Sequence, residues 1–104
     1  MRSRYAAFAR KRVDYLLATS HPELIERHGG HATFRRDLLR TCEEHRYPGL
    51  SVLAHRQDGD QGEVEFRARV FRKGADLSFT ERSLFFREQG RWLYHSAVEP
   101  PRAQ

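Results

Sequence analysis

Apolar positions recur at helical spacing in the first part of the chain and alternate one by one in the second. Between Arg2 and Thr19, the residues Tyr5, Phe8, Ala9, Val13, Leu16 and Leu17 form one stripe, which predicts a helix. Arg2, Arg10, Lys11 and Asp14 fall largely outside it. Ser20-His21-Pro22-Glu23 has the spacing of a capping box, and proline suits a first turn that lacks an N–H partner anyway. A second, short helix carrying Leu24 and Ile25 is expected there, stopped by Gly29 and Gly30. A third should run from an N-cap at Thr33 to about His45, with Phe34, Leu38, Leu39 and Cys42 on one face and Pro48-Gly49 at its end.

After Gly49 the period changes. Leu50 to His55 reads as a short strand, followed by a turn at Asp58-Gly59-Asp60. Val64, Phe66, Ala68 and Val70 alternate with Glu65, Arg67 and Arg69, the mark of a half-buried strand. A turn at Lys73-Gly74-Ala75-Asp76 leads to a long strand from Leu77 to Glu88. Gln89-Gly90 turns the chain into a last strand, Arg91 to Val98, with Trp92 and Tyr94 on one face. Helices first and hairpin-linked strands afterwards imply an α+β domain: three helices on an antiparallel sheet of about four strands. Residues 1–98 are expected to form that single domain, with 99–104 a loose tail behind Pro100 and Pro101.

Several segments resemble the middle domain of the YchJ family. They are Met1-Arg2-Ser3-Arg4-Tyr5 with Ala7-Phe8, Asp14 to Thr19 with His21-Pro22, Val64-Glu65-Phe66, Glu81-Arg82-Ser83 with Phe85, and Gly90-Arg91-Trp92 with Tyr94. The likeness runs from residue 1 to about 98 and thins between Glu23 and Gly49. It implies a nuclear transport factor 2-like (cystatin-like) cone, a curved sheet wrapped by helices around a pocket. Family members also carry Cys-rich zinc-binding motifs flanking this domain. Cys42 is the only cysteine here, so no such motif is expected within these residues and no zinc-linked property is implied.

Composition narrows the function classes modestly. At 104 residues with 38% hydrophobic positions the chain can bury one core. No apolar run is long enough to span a bilayer, and no signal-peptide core follows the basic start. A lone cysteine fits a reducing compartment, so a cytoplasmic setting in a bacterium is the expectation. The net charge of +5 comes almost wholly from arginine and is spread along the chain, which reads as coding bias before it reads as a polyanion site.

No residue set spells out a reaction, and no cofactor is expected. Glu81 and Arg82 lie in a strand apolar on both faces, so each must be paired, for instance with Arg67 or Glu65, or line a cavity. His21 with Asp14 and Tyr15 is an acid–base candidate, since proton-transfer enzymes on the implied fold use such residues; as a bare cap His21 would be structural. Tyr15, His21, Glu81, Arg82, Trp92 and Tyr94 are the expected pocket residues. His28-x-x-His31 and Cys42-x-x-His45 have zinc-like spacing, but Cys42 sits on an apolar face. Arg2, Arg4, Arg10, Lys11 and Arg12 interleaved with Tyr5 and Phe8 could meet nucleic acid, although the two aromatics belong to the core stripe. The leading expectation is a binding module for a small molecule or protein partner, with Phe71, Leu84 and Phe86 as a homodimer face. The alternatives are a small lyase, isomerase or hydrolase using His21 or Glu81, and an RNA- or ribosome-associated basic module.

Overall fold

A computed structural model describes residues 1–98 and the backbone of 102–103. Four helices, α1 (Arg2–Ala9), α2 (Val13–Ala18), α3 (Pro22–Arg27) and α4 (His31–Glu44), precede the strands. These are β1 (Arg46–Asp58), β2 (Gln61–Arg72), β3 (Ala75–Asp76), β4 (Phe79–Glu88), β5 (Arg91–Ala97) and β6 (Arg102–Ala103). The long strands form an antiparallel sheet in the order β1-β2-β4-β5, with β3 extending β2 and β6 lying beside β4. The architecture is the expected α+β one. The tail expected at 99–104 lies outside the described residues apart from the backbone of β6.

The helix expected over Arg2–Thr19 is two helices. Arg10, Lys11 and Arg12 are exposed, and Lys11 turns the chain with φ 58°. The break lets the two halves serve different neighbours. Val13, Leu16 and Leu17 enter a helical core with Leu24, Phe34, Leu38 and Cys42. Met1 and Tyr5 instead pack on Phe66, Ala68 and Val70 of the sheet. Burying a side chain such as Phe66 (2% exposed) contributes about 2 kcal/mol.

Other boundaries shift for local reasons. His21, not Ser20, caps α3: its Nδ1 accepts the Glu23 N–H at 3.1 Å, while the Ser20 hydroxyl donates to the Leu16 carbonyl. Gly30 stands at the start of α4 instead of Thr33. Leu39 faces outward at 43% exposure, as does Ala9. Pro48-Gly49 does not end a helix but lies inside β1, where the register slips between Arg46 and Gly49. Proline is tolerated there because β1 is an edge strand and needs no N–H on that side. The Tyr5 hydroxyl repairs the slip, accepting the Gly49 N–H at 2.6 Å and donating to the Arg69 carbonyl at 2.8 Å. A second slip falls between Val52 and Ala54.

At the other margin, the α2–α3 link runs parallel to β5. The Tyr94 N–H donates to the Thr19 carbonyl and the His21 N–H to the Tyr94 carbonyl, both at 2.8 Å. This link sets the helices over the concave face of the sheet.

Candidate functional site

The concave face holds two adjoining hollows, with Met1 and Arg4 bordering both. The smaller, about 330 Å³, is walled mainly by Tyr5, Phe8, Tyr47, Phe66 and Phe79, with Leu77 also lining it. Tyr5 and Phe8 each pack a ring against Tyr47, and Phe66 meets Phe79 edge to face. These aromatics arrive from α1, β1, β2 and β4, which is why no short motif announces the hollow.

Its polar wall is Arg4, Glu81 and Tyr94. Strand alternation puts Glu81 on the same face as Phe79, Ser83 and Phe85. Its Oε2 accepts from the Ser83 hydroxyl at 2.5 Å and from the Tyr94 hydroxyl at 3.0 Å. Its Oε1 has no hydrogen-bond partner among the described residues. Burial, and then the Glu81 charge, push the Tyr94 phenol well above its usual range. Burial does the same to Tyr47. The Arg4 guanidinium lies over the Tyr94 ring, 4.9 Å from its centroid. Desolvation holds the Arg4 pKa down to about 10.

The larger hollow, about 590 Å³, lies at the other end of the concave face. Trp92, Phe85 and Tyr15 line it, with Arg56, Arg91 and His55 at its rim. Glu63 lies at its edge, in register with Leu84 of the convex face, and is engaged by Arg56 at 3.0 Å. Tyr15 is 42% exposed, and its hydroxyl donates to Ser3.

Of the residues singled out from the sequence, Glu81, Tyr94, Trp92 and Tyr15 thus border these hollows. His21, Asp14 and Arg82 do not. His21 is buried at the seam between α3 and the sheet, where its Nε2 meets Glu88 Oε2 at 2.7 Å and its ring packs against Phe86 and His95. Asp14 is on the helical surface and pairs with Arg35. Arg82 is the register partner of Glu65. Phe71, Leu84 and Phe86 are half-buried on the convex face, with Phe86 partly covered by the rings of His21 and His95.

The spacing-based metal set is not gathered. His28 stacks on Phe34, His45 Nδ1 lies 2.8 Å from the Thr41 carbonyl, and Cys42 is buried with its thiol pKa raised by desolvation. Among the described residues, His21, Glu23 and His95 are the one trio with ligand atoms close together, within 4.8 Å. The His21 tautomer opposes metal there. Nδ1 accepts the Glu23 N–H, so the ring proton sits on Nε2 and points at Glu88. The basic run also divides. Arg4 is buried, whereas Arg10, Lys11 and Arg12 line an outer groove with Asp14 and Arg35, away from the Tyr5 and Phe8 rings.

A family model described as the middle NTF2-like domain of YchJ matches residues 1–97. The chain belongs to the YchJ middle-domain family. A UPF0225 protein of Polaromonas naphthalenivorans is 43% identical to this YchJ-type domain over 95 residues, covering 90% of the chain and 62% of that relative. The chain thus spans under two thirds of the length of that curated relative. The solution structure of a SEC-C motif containing protein from Rhodopseudomonas palustris superposes with a TM-score of 0.80 at 38% identity, over 93% of this chain and 73% of that one. A LEH-like epoxide hydrolase of M. tuberculosis shares the fold alone, at TM-score 0.64 and 15% identity over 86% of this chain and 72% of that one. The YchJ likeness read from the sequence and its nuclear transport factor 2-like fold are therefore both established. Among the described residues no helix is long and apolar enough to cross a membrane.

Proposed function

We propose that this YchJ-type domain is a binding module whose interior hollow receives a small, largely apolar molecule bearing a polar end. One observation carries the reading: an aromatic-walled space of about 330 Å³ is lined by Glu81, whose Oε1 has no protein partner among the described residues. The volume lies at the lower end of small-molecule sites, which are mostly apolar with a few orienting polar groups. A cytoplasmic setting accords with the single, buried cysteine.

A fragment screen by thermal shift, followed by NMR mapping of the hits, tests this. Hits should perturb Phe66, Phe79 and Tyr94, and Leu77→Trp at the mouth should weaken them at least tenfold without loss of fold. Hits that instead map to Phe71, Leu84 and Phe86 would replace the hollow with the convex face as the binding surface.

A second reading, acid–base catalysis, draws on the same group. Glu81 and the Tyr94 hydroxyl form a carboxylate–phenol pair facing the hollow, whereas His21 does not reach it. If Glu81 is a base, an acidic C–H of a bound ligand should exchange with D₂O faster than in free solution, and Glu81→Gln should abolish that exchange. Exchange unchanged by the domain leaves binding alone.

A further inference from the structure

Among the described residues Arg4 is a buried cation in the hollows with no ion-pair partner. It is 6% exposed, deeper than many apolar side chains of this small domain. Its Nη1 donates to the Leu16 carbonyl at 3.1 Å, to Thr19 Oγ1 at 2.7 Å and to Ser20 Oγ at 3.4 Å, all neutral acceptors. No carboxylate of the described residues makes an ion pair with it. A buried guanidinium ordinarily needs a counter-charge, because desolvation penalises an isolated ion heavily. Burial lowers its pKa more than the nearby Tyr94, Tyr15 and Glu81 groups raise it.

The geometry also shows where the counter-charge would sit. Arg4 Nε and Nη2 make no hydrogen bond among the described residues, and no fully buried side-chain nitrogen or oxygen of those residues lacks a partner. These two nitrogens therefore open on the hollows that Arg4 borders. On the smaller side stands the Glu81 carboxylate, which repels an anion. On the larger side stand Arg91 and His55, while Arg56 and Glu63 pair with each other in register with Leu84 on the convex face.

We infer that Arg4 anchors an anion site in the larger hollow, so that the molecule bound is an amphiphilic anion. Its carboxylate or phosphate monoester lies on Arg4 towards Arg91, and its apolar body enters the smaller, aromatic-walled hollow. The guanidinium fork suits both head groups, which it can grip with two parallel N–H donors. This rests on the binding reading above: the body keeps a polar group for Glu81 Oε1, and the anionic head on Arg4 is a second polar group added to it.

Trp92, the only tryptophan, lines the head-group hollow and gives the readout. Decanoate, decyl phosphate and decanol are titrated against the whole chain by Trp92 fluorescence and calorimetry. At least one anion should bind tenfold or more tighter than decanol, with a margin that shrinks as salt is raised. Arg91→Gln should narrow the margin several-fold. Arg4→Met should abolish it; if that variant does not fold, the salt dependence and Arg91→Gln decide. The stronger of decanoate and decyl phosphate names the head group. Decanol binding as tightly as both anions overturns the anion site and leaves the hollow standing. Failure of all three to bind overturns both readings for molecules of this class.

Discussion

Removing His21 should damage the fold and leave the interior hollow intact. The side chain does three things at the α3 seam: Nδ1 caps the helix, Nε2 reaches Glu88, and the ring packs on Phe86 and His95. Losing the cap costs about 1 kcal/mol. Losing the hydrogen bond to the half-exposed Glu88 carboxylate costs about 1 kcal/mol, and the lost ring contacts about another 1 kcal/mol. His21→Ala is thus expected to destabilise the domain by about 3 kcal/mol. His21→Asn restores an oxygen at the cap position and should cost about 1 kcal/mol less. For a domain of this size that difference is worth roughly 4–8 °C in melting temperature. Urea denaturation of the wild type and both variants measures it, with ligand binding followed in the same samples. Equal losses for Ala and Asn would remove the capping argument. Loss of ligand binding with stability unchanged would move His21 from the seam into the site.

Three further outcomes follow from the backbone and the buried phenols. Lys11 has φ 58° at the α1–α2 break, so Lys11→Gly should raise stability by about 0.5 kcal/mol by relieving a left-handed residue; a loss of about 1 kcal/mol, as for glycine inside a continuous helix, would contradict the break. Gln89 and Gly90 both have positive φ, 52° and 78°, so Gln89→Asn should shift the urea midpoint upward by the equivalent of about 0.5 kcal/mol, and a downward shift would refute that turn geometry. Tyr94 is held protonated by burial and the Glu81 charge, so above pH 10 the unfolded chain releases a proton that the folded one keeps, and stability falls as pH rises. Arg4, whose pKa is depressed, acts in the opposite sense over the same range. The comparison is therefore wild type against Tyr94→Phe: the wild type's relative stability should decline by up to about 1.4 kcal/mol per pH unit above pH 10 and stay flat below it. Parallel profiles would refute the assignment.

Residues whose environment is set by their own element were legible beforehand. The alternation of Val64, Phe66, Ala68 and Val70 placed the concave face, and the same rule put Glu81 beside Ser83 and Phe85. His21 was marked by the Ser-His-Pro-Glu signal, although the signal pointed one residue early because histidine is an uncommon cap. Arg4 could not be found this way. Its burial depends on carbonyl and hydroxyl acceptors at the end of α2 and on the Tyr94 ring, 90 positions along the chain. A lone arginine in a basic first helix looks solvent-facing until the tertiary contacts exist. Leu39 errs the other way, since a stripe one residue too wide includes a leucine that stays outside the helical core.

The two slips in β1 have a consequence for crowding and assembly. This strand borders the sheet, and its outer side has no partner strand among the described residues. An intruding chain would find regular ladder only from Gly49 to Val52 and again from Ala54 to Asp58. Neither stretch exceeds five residues, and the slip between them breaks the ladder. The margin is therefore a poor template for edge-to-edge stacking, and the domain can leave it bare at high concentration without seeding fibrils.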